Sequence, residues 1–74
     1  MVEAIFRNLH LPTKAEVLWE HGKIVSERKL VSHIVTLYSV FTFYAEVYCD
    51  LDFNIIEDIR VLSNEEFEEL YRDV

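Results

Sequence analysis

Along the longest apolar tract of the chain, Leu30 to Cys49, the sequence reads LVSHIVTLYSVFTFYAEVYC, twenty residues with no Gly, no Pro and one formal charge, Glu46. A spanning helix needs about 20 predominantly apolar residues, and here Ser32, His33, Thr36, Ser39, Thr42 and Glu46 interrupt the run. From Ile34 to Tyr48, eleven of fifteen residues are Val, Ile, Thr, Tyr or Phe. Such side chains suit a pleated surface and lose rotamer freedom in a helix. The tract is therefore strand, and its length makes it fold back near Ser39-Val40-Phe41-Thr42. With an even-numbered loop, period-2 alternation puts Ile34, Thr36, Tyr38, Phe43, Ala45, Val47 and Cys49 on a core face. The second face then carries His33, Val35, Leu37, Tyr44, Glu46 and Tyr48.

Helical periodicity brackets this hairpin. Thr13 to Glu16 has the form of a capping box, Ala15, Leu18 and Trp19 fall at i, i+3, i+4, and Gly22 supplies a stop. A second capping box, Ser63 to Glu66, has Leu62 and Phe67 placed as a staple, and Phe67, Leu70, Tyr71 and Val74 follow at helical spacing. Strands are read at Lys23 to Leu30 and, after the turn DLDFN, at Asn54 to Leu62. In the latter, Ile55, Ile56, Ile59, Val61 and Leu62 fit neither face cleanly, which marks a bulge. Residues 1–12 fit either element, since Val2, Ile5, Phe6 and Leu9 keep helical spacing while Val2, Ala4 and Phe6 alternate. The predicted fold is one small α+β domain over residues 1–74: a four-stranded antiparallel meander flanked by an N-terminal and a C-terminal helix packed on one face.

The segments HGKIVSER, TLYS, FYAEVYCD and NIIEDI resemble a family of short uncharacterised bacterial proteins. In that family a helix ending in His-Gly leads into strands marked by Leu-Tyr, an aromatic pair before Glu-Val, and Asn followed by spaced isoleucines. The resemblance covers about residues 13–62. It implies the same meander and, the family having no assigned activity, implies no catalytic or binding residue.

Composition narrows the functional classes. A chain of 74 residues supplies a core worth about 3–5 kcal/mol net, and with Cys49 as its one cysteine it has no disulfide framework. Association is the remaining common stabiliser. The lone cysteine fits a reducing compartment, and the N-terminus lacks the pattern of a signal peptide, so a cytoplasmic location is expected. Net charge is −7, with +1 over residues 1–33 and −8 over residues 34–74. An acidic surface repels phosphate, which argues against nucleic-acid or anionic-membrane binding.

Candidate chemistry is thin. His10, His21 and His33 are spaced so that no two share adjacent helical turns or alternate strand positions, so no metal site is expected. Gly22 is the only glycine, which excludes a glycine-rich phosphate loop and leaves no cofactor expected. Glu46 between Tyr44 and Tyr48 could have a raised pKa and act as acid or base, but no second catalytic partner is fixed. The second sheet face is the stronger feature. Val35, Leu37, Tyr44 and Tyr48, around Glu46, make more apolar area than a lone sheet should expose, and Ile56 and Leu62 can add to it. The leading expectation is a non-enzymatic interaction module that forms a homodimer through this face. Its rivals are an acidic inhibitor or immunity-like protein docking a basic protein, and a small enzyme using Glu46.

Overall fold

The computed structural model describes residues 1–72. Helices α1 (Glu3–Arg7) and α2 (Leu11–His21) lead into strands β1 (Lys23–Lys29), β2 (His33–Val40), β3 (Phe43–Asp50) and β4 (Ile55–Leu62), and helix α3 (Asn64–Tyr71) follows. The sheet is antiparallel in the order β1-β2-β3-β4, the meander read from the sequence. The opening apolar tract is the β2–β3 hairpin. Among the described residues no helix is long and apolar enough to cross a membrane.

Local chemistry sets the boundaries. The N-terminal segment resolves as helix, although α1 has only five residues. Thr13 does not cap α2. That helix starts a turn earlier, with His10 at the N-cap and Pro12 inside the first turn, where its fixed φ and missing N–H cost nothing. Gly22 ends α2 in extended rather than left-handed conformation. A Cβ there would stand 2.8 Å from the Leu18 carbonyl oxygen and 3.1 Å from the Tyr38 ring, so Gly22 serves close approach. Between β2 and β3, Val40 pairs with Phe43 around a two-residue turn in which Phe41 takes φ 51°. No glycine relieves that conformation; instead Phe41 packs against His21 and Phe43, at ring centroid distances of 5.3 and 6.2 Å.

The β2–β3 register confirms the two predicted faces, pairing Tyr38 with Ala45 and Leu37 with Glu46. Phe6 from α1 and Leu18 from α2 cover the first face, packing with Val40, Phe43, Ala45, Val47, Ile59 and Val61. The expectation that both terminal helices share one face is corrected. Helix α3 lies on the second face, where Phe67 and Tyr71 join Leu37, Tyr44 and Leu62. Its direction is fixed at the start. Ser63 and Glu66 close the capping box in both directions, and Leu62, whose side chain opposes that of Val61, draws Phe67 onto its own side as a hydrophobic staple. Val74 lies outside the described residues.

The expected bulge is in β4. Tyr48 pairs with Asp58 and Cys49 with Ile56, leaving Glu57 as the extra residue. Ile56 is thereby turned to the first face, against the α1–α2 core, and does not extend the second. A further shift in β1, between Ile24 and Ser26, leaves Val25 unpaired.

Candidate functional site

The second sheet face holds an ion cluster built on one buried carboxylate. Glu46, at the middle of β3, is 0% exposed. Its register neighbours are Leu37 on β2 and Arg60 on β4. Arg28 reaches it from β1 across β2, donating from Nη2 to Glu46 Oε2 at 2.9 Å. The Tyr71 hydroxyl donates to the same oxygen at 2.5 Å from α3, and the Tyr48 hydroxyl donates to Oε1 at 3.0 Å. Arg60 Nη2 stands 3.8 Å from Oε1 and 2.9 Å from Glu66 Oε2. The Arg28 guanidinium also lies over the Tyr71 ring, 5.8 Å from its centroid. Two arginines thus face two carboxylates, and no buried polar side-chain atom among the described residues lacks a partner.

This arrangement is chemically quiet. A general acid or base needs a proton or lone pair within reach of substrate, whereas both Glu46 oxygens are engaged beneath Tyr48 and Tyr71. The cluster behaves as a satisfied polar network that fixes how α3 seats on the sheet. The hydrogen bond to Glu46 holds Arg28 above the usual guanidinium range. Burial, then the bond to Glu46, pushes the Tyr48 and Tyr71 phenols up. Raised phenol values in the folded state stabilise it fully below about pH 10, the unfolded value, and that contribution is lost as pH rises through the folded values. Stability should therefore fall above about pH 10. A pair of single variants, Tyr48→Phe and Tyr71→Phe, should each flatten that slope in urea titrations run at stepwise alkaline pH.

The residues proposed for a sheet-face interface fare differently from expectation. Val35, Leu37 and Glu46 are fully buried within one chain, and Tyr44 stacks on Phe67 of α3 at 4.1 Å. Val35, Leu37 and Glu46 are thus core of a single chain and α3 occupies the face expected to receive a second copy, while Tyr44 and Tyr48 stay half-buried. Sequence reasoning missed Arg28, Arg60 and Tyr71. Arg60 carried a signal, being one of two basic residues after residue 33 and the one within a strand. The bulge at Val25 hid the side to which Arg28 points.

Exposed apolar side chains gather at one end of the sheet. The β1–β2 turn presents Leu30 and a fully exposed Val31, and the β3–β4 turn presents Leu51 and Phe53, the latter 76% exposed; Ile55 follows at the start of β4. The Leu51 N–H donates to the Ser32 carbonyl at 3.0 Å, which ties the two turns side by side. Below them His33 pairs with Asp50. A shallow depression also runs along the outer surface of α3, lined by Asn64, Glu65, Glu68, Glu69 and Arg72. A single helix face encloses no ligand. Comparison with protein-family models, curated proteins and solved structures finds no match.

Proposed function

We propose that the chain is a non-enzymatic interaction module whose docking surface is the paired hairpin tips, and that its occupant is a second copy of itself. The observation that carries this reading is the exposure of Leu30, Val31, Leu51, Phe53 and Ile55 at one end of the sheet. Exposed apolar side chains gathered at one place mark contacts in small proteins. The tip carries exposed charges of both signs, Lys29 and Asp52, which a two-fold pairing can set against each other. The thin core of so short a chain gains from such coverage. A tip contact is small, which places it among weak, transient interfaces.

Light scattering on a size-exclusion column tests this directly. The mass should climb from 8.8 kDa toward twice that as concentration is raised, and the double variant Val31→Asp/Phe53→Asp should stay monomeric with an unchanged circular dichroism spectrum. A wild-type mass that stays at one chain across the range, or a variant that still associates, overturns the reading. The exposed acids Glu65, Glu68 and Glu69 on α3 favour a second reading, capture of a basic protein by charge. Glu66 is not part of that surface, because it closes the capping box and pairs with Arg60. Reversing the three exposed acids should leave self-association intact and abolish any salt-sensitive capture.

A further inference from the structure

We infer that His33, Asp50 and Glu57 form a binding site for a first-row divalent metal ion of the zinc and cobalt type. One donor atom from each residue lies within 4.8 Å of the others. Three features of the fold bring them together. Antiparallel register sets His33 on β2 directly opposite Asp50 on β3. The β4 bulge inserts Glu57, which would otherwise have no place beside them, and bulges commonly re-aim a side chain in this way. The turn after β3 then fixes Asp50, whose Oδ1 accepts from the backbone N–H groups of Asp52 at 2.8 Å and Phe53 at 3.1 Å.

The donor chemistry suits a metal ion. Ser32 Oγ and His33 Nδ1 are 2.9 Å apart. With Nδ1–H donating to that hydroxyl, the Nε2 lone pair faces Glu57 Oε2 at 3.1 Å. A metal ion bound there takes the place of the proton that Nε2 otherwise donates to Glu57. Metal-bound histidines characteristically donate their other ring N–H to such a partner. Bonds of about 2.0–2.2 Å put neighbouring ligand atoms of a tetrahedral ion roughly 3.4 Å apart, close to the spacing observed here between Nε2 and Oε2. One imidazole with two carboxylates suits zinc, cobalt, iron or manganese rather than copper(I), which prefers sulfur. Three protein ligands leave at least one position open to water or to a donor from another molecule.

The test is a Co2+ titration of tag-free, chelator-treated protein, followed by its visible absorption and by competition with Zn2+. The wild-type chain should bind one Co2+ per chain saturably and release it to Zn2+. Glu57→Gln, at an exposed bulge position, and His33→Gln should each weaken binding at least about tenfold, and Ser32→Ala by about tenfold, as for residues that orient a ligand. The control His10→Gln/His21→Gln should bind as wild type does. Absence of saturable binding, or binding that survives Glu57→Gln and His33→Gln, overturns the assignment. Loss of binding in the His10/His21 control overturns it as well. Because the mass measurements on the hairpin tips can be made in chelator, failure of this site and failure of tip docking are separately visible.

Discussion

Arg28→Met is expected to destabilise the fold by about 3 kcal/mol, the lower end of what breaking a buried ion pair costs. The substitution keeps the apolar stem and removes the closest cation to a carboxylate that is fully buried. Arg60, 3.8 Å away, and the two tyrosine hydroxyls remain, which keeps the loss from being larger. Against a net stability of about 3–5 kcal/mol for a chain this size, that loss leaves roughly 0–2 kcal/mol, so a substantial unfolded fraction should appear at room temperature. The effect should be read from the urea midpoint at neutral pH. A double variant, Arg28→Met/Glu46→Leu, removes the uncompensated charge and should recover most of the loss, because apolar replacements of buried pairs are often neutral or stabilising. If Arg28→Met shifts the midpoint little, or the double variant is worse than the single, Glu46 is not the sealed group described above.

The second large effect is on the opposite face. Phe6→Ala should cost about 3–5 kcal/mol, the range for truncating a buried aromatic ring. Helix α1 has five residues, far too few to persist alone. It is held by Phe6, which is fully buried and packs on Phe43 with ring centroids 5.2 Å apart. Without that ring α1 should detach and expose Leu18 and Val40. The observable is a drop in urea midpoint together with loss of amide protection across residues 3–9. An unchanged midpoint would show that α1 contributes nothing to the core.

Much of the meander was legible because its signals are local. Branched and aromatic residues alternate across Ile34 to Tyr48, a capping box starts α3, and the crowding of isoleucines after Asn54 announces a bulge. What stayed hidden depends on pairings between distant segments. Nothing in the order of residues says that α3 crosses to the second face, since the side chosen rests on the staple of Leu62 with Phe67. That one choice turns Val35 and Leu37 from a candidate interface into core, and makes Glu46 the acceptor for Tyr71. Histidine spacing likewise gave no hint of the His33, Asp50 and Glu57 cluster, because its members are brought together by register and by an inserted Glu57 rather than by a second histidine. The hairpin tips were overlooked because Val31 and Phe53 are isolated apolar residues in turns, without period.

Amide hydrogen exchange at low and at high protein concentration tests whether copies of this chain meet through the hairpin tips. Tip docking predicts concentration-dependent protection confined to residues 30–33 and 50–55, with residues 44–48 and α3 equally slow at both concentrations. Added protection over residues 44–48 or α3 instead would show that copies meet through the sheet face after α3 is displaced, and would contradict docking at the tips.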